Sequence, residues 1–184
     1  SWSALFGDLD LDGRQDVFIS NGIPKRPNDL DFIKFVSNDQ IKSKIDNTKL
    51  VDQQALDLMP SGSVHNYVFK GGEDLHFQDM SNKWITKDTL VSGATAMGDL
   101  DGDGNMDVAA VNSNDTFLSV RMGNGDGTLG VRRTFASGEN PVDLEFGDLD
   151  GDGDLDIAVT NYFRSDVTIL FNNGNGFFNS RDTF

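Results

Sequence analysis

The sequence contains no cysteine, which excludes disulfides, thiolate metal sites and cysteine nucleophiles. Absence of cysteine does not by itself exclude secretion. Positive charge is scarce: 15 Lys and Arg stand against 30 Asp and Glu, for a formal net charge of −15. That balance excludes a nucleic-acid phosphate partner, which needs a basic footprint. No apolar run approaches the ~20 residues of a membrane-spanning helix. No signal-like segment opens the sequence, as expected of a mature form, a fragment or a cytosolic protein. The only histidines are His65 and His76, read as structural rather than as a base or metal ligand. There is no G-x-S-x-G, H-E-x-x-H or phosphate-cradling glycine loop. No Arg-Gly-Asp string offers an integrin-recognition motif.

What is abundant is aspartate, and it is clustered. "GDLDLDGRQD" (7–16), "GDLDGDGNMD" (98–107) and "GDLDGDGDLD" (147–156) share the pattern D-x-D-x-D-G-x-x-D. A "GNGDG" turn at 123–127 and an "NNGNG" turn at 172–176 each begin sixteen residues past the last aspartate of their unit. In the first unit the matching turn is "KGGED" at 70–74, displaced by an extra segment. The intervening stretches are short and rich in β-branched and aromatic residues, which predicts strands. "SALF", "ATAM" and "DLEF" enter the acidic loops, and "DVFIS", "DVAAV" and "DIAVT" leave them. "NYVF", "FLSVRM" and "DVTILF" precede the Gly/Asn turns; "LHFQDM", "LGVRRTF" and "FFNSRDTF" follow them. The expected fold is therefore all-β: three four-stranded antiparallel sheets, the blades of a β-propeller. The blades take residues 1–92, 93–141 and 142–184.

Crowded carboxylates repel, and a divalent cation removes the penalty. Calcium takes about 6–8 oxygens at ~2.3–2.6 Å in flexible geometry, whereas magnesium prefers waters and a strict octahedron. Three calcium sites are expected. Loop positions one, three and five supply Asp8, Asp10 and Asp12; Asp99, Asp101 and Asp103; Asp148, Asp150 and Asp152. Position six is glycine (Gly13, Gly104, Gly153), which permits a sharp turn. Position seven offers a backbone carbonyl, from Arg14, Asn105 or Asp154. Position nine, Asp16, Asp107 or Asp156, closes the shell. The spacing matches the front of an EF-hand loop, but the last acid falls at nine rather than twelve, and a strand rather than a helix follows.

Phe6-Gly7, Met97-Gly98 and Phe146-Gly147, each leading into its acidic loop, together with "GNGDGTLG" at 123–130, resemble the FG-GAP/VCBS repeat family, the calcium-binding blades also found in integrin α-chain propellers. Residues 1–90 resemble ASPIC/UnbV-type (cartilage-acidic-protein-like) propellers through "NGIPKRPNDLDFI" and "MPSGSVHNYVFK". The resemblance implies an extracellular, secreted or cell-surface setting and a ligand-meeting rim opposite the acidic loops.

A helical insertion at 23–63 interrupts the first blade between its second and third strands. "NDLDFIKFVSN" carries a helix start at Asn28 or Asp29 and the apolar series Leu30, Ile33, Val36. "NTKLVDQQALDLMP" predicts a second helix ending before Pro60. The pair forms either a cap that shapes a binding surface or a packing lid.

Three blades leave two apolar end faces. They are expected to be covered by a second copy closing a six-bladed ring, by further blades of a longer parent, or by another protein. The function expected is a non-catalytic calcium-binding module for recognition, adhesion or self-assembly, with a protein or glycan ligand. The alternative is the propeller of a carbohydrate-active enzyme such as a polysaccharide lyase. Its mark would be a cluster drawn from Lys25, Arg26, His65, Tyr67 and Tyr162. Asn114-Asp115-Thr116 forms a glycosylation sequon.

Overall fold

The computed structural model describes residues 3–22, 65–85, 92–112 and 115–184. The helices expected within 23–63, the candidates Lys25 and Arg26, and Asn114 of the sequon lie outside the described residues.

Twelve strands form three antiparallel meanders. The first sheet runs β1 (Ala4–Gly7), β2 (Asp16–Ile19), β3 (Tyr67–Gly71) and β4 (Phe77–Asp79), in that order. The second runs β5 (Ser92–Gly98), β6 (Asp107–Asn112), β7 (Phe117–Arg121) and β8 (Arg133–Ala136). The third runs β9 (Pro141–Gly147), β10 (Asp156–Asn161), β11 (Asp166–Asn172) and β12 (Phe178–Thr183). Each expected strand is present, with ends moved by a few residues. The first strands neighbour one another, β1 beside β5 and β5 beside β9, so the sheets are arranged like adjacent blades.

Burial follows from this stacking. A sheet covered on both faces needs strands apolar at successive positions. β6 meets this condition: all six of its residues are buried. One apolar cluster joins Leu100, Ala109, Val111, Leu118 and Val120 of the second sheet to Leu144, Ile157, Val159 and Leu170 of the third. Another joins Leu9, Phe18, Val68 and Trp84 to Val108 and Leu129. Each fully buried Val, Leu or Ile adds about 1.5–3 kcal/mol of transfer free energy.

The one α-helix among the described residues, α1 (Ser81–Trp84), has a single task. Ser81 Oγ accepts the Val68 amide at 2.9 Å, and the Ser81 amide donates to Asp79 Oδ1 at 2.9 Å. That anchoring presents the Trp84 ring to Gly127, where an added Cβ would lie 2.2 Å from a ring carbon.

The two junctions repeat one design. A Cβ at Gly7 would meet Met97 Sδ at 3.1 Å, and one at Gly98 would meet the Phe146 ring at 3.0 Å. The glycines closing β1 and β5 thus admit the large side chain of the next blade. The Gly127 amide donates to Leu9 O at 3.0 Å, and the Gly176 amide to Leu100 O at 3.1 Å. Each Gly/Asn turn therefore grips the acidic loop of the preceding blade. Leu9 and Leu100 are 3% and 2% exposed as a result.

Candidate metal centres

Each acidic loop connects the first two strands of its sheet. It is closed by a cross-strand pair between the glycine before it and the aspartate at position nine: Gly7 with Asp16, Gly98 with Asp107, Gly147 with Asp156. The ninth aspartate is fully buried in all three. Its Oδ2 accepts the amide of position two, Leu9, Leu100 or Leu149, at 2.8–2.9 Å. Its Oδ1 accepts the amide that opens the Gly/Asn turn, Gly71, Gly123 or Asn172, at 2.8 Å. A carboxylate read from sequence only as a ligand also clips the acidic loop to the hairpin between the third and fourth strands.

Position one is organised by its own loop. Asp8 accepts the amides of Asp12 at 3.0 Å and Gly13 at 2.8 Å. Asp99 accepts those of Gly102 at 2.8 Å, Asp103 at 3.2 Å and Gly104 at 2.9 Å. Asp148 accepts those of Gly151 at 2.7 Å and Gly153 at 3.1 Å. The left-handed φ of Gly13, Gly104 and Gly153 (83°, 86° and 96°) makes these bonds possible, as the sequence predicts. Position four is also left-handed, a requirement the repeat pattern leaves blank. Gly102 and Gly151 meet it at φ 73° and 86°, and Leu11 is held there at 56°.

The outcome is three triads of positions one, three and nine: Asp8, Asp10 and Asp16; Asp99, Asp101 and Asp107; Asp148, Asp150 and Asp156. Within each, one oxygen from every residue lies within 4.8 Å of the others, so each triad could hold a metal ion. The donors are all hard oxygens, which suits a divalent cation of the calcium or magnesium type. Asp10 Oδ1 is buried without a hydrogen-bond donor among the described residues, an oxygen a cation would satisfy.

Position five stands apart from these triads. Asp12, Asp103 and Asp152 each accept the amide of position seven (Arg14, Asn105, Asp154) through Oδ1 at 2.8–3.0 Å. Asn105 Nδ2 adds a bond to Asp103 Oδ2 at 2.7 Å. Positions five and seven thus form a local turn in this structure.

The electrostatics register the crowding. Burial, the largest cause, pushes the Asp107 carboxyl up to about 6, against the opposing pull of the Gly123 and Leu100 amides; Asp101 and Asp103 push it the same way as burial. Burial likewise raises Asp16, Asp101 and Asp150. A buried carboxyl reluctant to ionise is one that a divalent cation would stabilise.

Of the residues considered for a catalytic cluster, His65 and Tyr67 are brought together, with ring centroids 4.7 Å apart. His65 Nδ1 also lies 2.7 Å from Asn66 O. Tyr162 belongs to the turn after β10, packed edge-on against Phe163 with centroids 5.7 Å apart.

Residues 99–159 match the family model of the FG-GAP-like repeat. The matched span runs from the second acidic loop through the third, taking in the Gly/Asn turn at 123–127 and the strands between. FG-GAP-like repeats are thus shown for the part of the chain in which the D-x-D-x-D-G pattern is most regular. Among curated protein sequences none matches the chain. A solved structure of an Agrocybe aegerita lectin, described as recognising non-reducing terminal N-acetylglucosamine, is similar with a TM-score of 0.54 at 16% identity. The similarity covers 98% of this chain and 38% of that one, so the chain spans well under half the length of the lectin. At that identity the likeness is one of fold.

Proposed function

We propose that this chain is a calcium-stabilised propeller module for extracellular recognition or assembly, without catalysis. The carrying observation is the threefold recurrence of an oxygen-only triad anchored on a fully buried aspartate. Positions one, three and nine would hold the ion, and its charge would offset the repulsion that raises Asp107. Calcium fits better than magnesium because three carboxylates converge in each triad, whereas magnesium keeps several waters and is usually held through one or two. A cation that binds only the folded chain adds about 2.7 kcal/mol per independent site at ~100 times its dissociation constant.

Two features support a role in recognition or assembly. On the turn after β10, Tyr162 and Phe163 are exposed, and the next residue, Arg164, lines a polar groove with Glu139 and Asp166. Aromatic faces next to paired charges suit a glycan ligand, the class named for the lectin of similar fold. The ends of the array also match one another: Phe6 and Leu75 stand exposed at one end and Leu149 at the other. That arrangement fits a second copy completing the ring.

Thermal melting in chelator, calcium and magnesium, with metal analysis of the purified protein, tests the calcium reading. Chelator should lower the melting temperature strongly. Calcium should restore it, and magnesium should do so poorly. Absence of bound divalent metal together with cation-indifferent melting would sink the proposal.

A further inference from the structure

The first loop differs from the other two in a way its aspartates do not show. Lys70, the penultimate residue of β3, sends its ammonium into that loop. It bonds Asp10 Oδ2 and, at 2.8 Å, Asp12 Oδ2. Asp10 belongs to the first triad, and its side chain is 11% exposed. Lys70 is itself 29% exposed, with Nζ 5.8 Å from the centre of the Trp84 ring, so a third partner steadies the charge. Arg14 adds a second positive charge, 3.7 Å from Asp12 Oδ2 and 3.3 Å from Glu73 Oε1.

The register identifies the counterparts of Lys70. Phe69 pairs with Val17, Arg121 with Val108 and Leu170 with Ile157, so the next residue in each third strand is Lys70, Met122 or Phe171. The amides that follow, of Gly71, Gly123 and Asn172, make the same bond to the ninth aspartate. Backbone and carboxylates coincide in the three blades, and one blade alone places a cation at this point. Met122 instead packs on Gly176 of the next blade.

We propose that Lys70 is the resident cation of the first loop, so that this loop binds calcium more weakly than the second and third and the chain takes up two calcium ions tightly rather than three. An ammonium on Asp10 and a divalent ion in the Asp8–Asp10–Asp16 triad repel, and they compete for the same carboxylate. Asp10 Oδ1 remains without a donor, so the site is weakened rather than abolished: an ion that enters must displace Lys70. The first blade would then hold its loop in low calcium while the other two depend on the ion. This inference rests on calcium being the cation of the intact loops.

Calcium titration by calorimetry, with equilibrium dialysis for stoichiometry, tests it on the full chain. Wild type should bind two ions tightly and a third at least tenfold more weakly. Lys70→Met, which installs the second blade's residue, should bring the third ion to the affinity of the others. Asp8→Asn should leave the two tight ions in place. In chelator, Lys70→Met should melt below wild type, because its loop has lost its own cation; Lys70→Gln provides a second variant should the first fold poorly. Three equivalent ions in wild type, or a Lys70→Met protein that still binds two, would overturn the inference and leave the calcium reading standing. No calcium bound by wild type or variant would overturn both.

Discussion

Asp107 Oδ1 accepts the amide of Gly123 at 2.8 Å, across sixteen residues of chain, while its Oδ2 holds the amide of Leu100. The same carboxylate belongs to the acidic triad with Asp99 and Asp101. The position is therefore a clamp and, on the calcium proposal, also a ligand, and the two roles separate in chelator. Asp107→Ala leaves two buried donors without an acceptor, each costing about 1–3 kcal/mol, partly offset by relief of a desolvated charge. Urea unfolding in chelator should show a loss of about 2–4 kcal/mol. Asp103→Ala, at an exposed turn position, should lose less than about 1 kcal/mol under the same conditions. Equal losses would mean that the ninth aspartate is no clamp.

The raised Asp107 carboxyl fixes the sign of the pH response in metal-free protein. Its folded value of about 6 exceeds the ordinary 3.8, so the folded state holds this proton more tightly than the unfolded chain does. The resulting stability is complete below about pH 4 and is lost as pH rises through about 6. Asp16 is shifted in the same direction by burial. Unfolding in chelator should therefore be harder at pH 5 than at pH 7.5. Calcium should invert the trend, because the ion requires the ionised form, and its affinity should fall as pH drops below about 6. Calorimetric scans with and without calcium across pH 5–8 check both signs.

Strand positions and the placement of the acidic loops were legible in the sequence because the repeat displays them three times. Each β-branched run between an acidic loop and a glycine turn has two copies to confirm it. Other features were hidden by their local appearance. The sixteen-residue spacing from Asp107 to Gly123 and from Asp156 to Asn172 was visible, but the hydrogen bond that sets it was not. Position four reads as a free position because Leu11 stands where Gly102 and Gly151 supply the left-handed backbone. Lys70 reads as the edge of a turn, and only the pairing of β2 with β3 reveals that its ammonium returns to Asp10. The contact bridges an insertion that no local spacing could cross.

Leu11 offers a simple stabilising change. A branched side chain at φ 56° carries about 1–2 kcal/mol of strain relative to the right-handed region. Leu11 is 56% exposed, so little burial is lost on removing it. Leu11→Gly restores the residue of the other two loops, and the added freedom of the unfolded chain takes back part of the gain. A net stabilisation of about 0.5–1 kcal/mol should appear in urea unfolding. A decrease would mean that Leu11 contributes through packing on Gly125, which its Cδ1 approaches.

Two glycines with almost the same backbone separate strain from packing. Gly127 and Gly151 have φ of 84° and 86°. A Cβ at Gly151 would meet nothing within 4 Å, whereas one at Gly127 would fall 2.2 Å from the Trp84 ring. Gly151→Ala should cost about 1 kcal/mol, from backbone strain alone. Gly127→Ala must also push Trp84 out of its cluster, and should cost at least about 2 kcal/mol more. Loss of native tryptophan fluorescence in the second variant but not the first would locate the damage at the junction of the first two sheets.

The self-association proposed above predicts which faces would meet. At the internal junctions Met97 fits over Gly7 and Phe146 over Gly98. Phe6 is their counterpart at one end, 64% exposed, and Gly147 is the unused glycine at the other, approached by Leu149 of its own loop. Leu149 is 50% exposed, while its counterparts Leu9 and Leu100 are almost wholly covered by the Gly127 and Gly176 turns. Leu75, the counterpart of Gly127, already holds the left-handed φ of 59° that this grip uses. On the assembly proposal, Phe6 with Leu75 of one copy would meet Gly147 with Leu149 of another, a head-to-tail contact that twofold symmetry can close. Sedimentation velocity should show concentration-dependent association in calcium. Leu149→Lys or Phe6→Ser should weaken it at least tenfold without lowering the melting temperature of the dilute protein. A wild type that stays monomeric at tens of micromolar would remove self-association from the account.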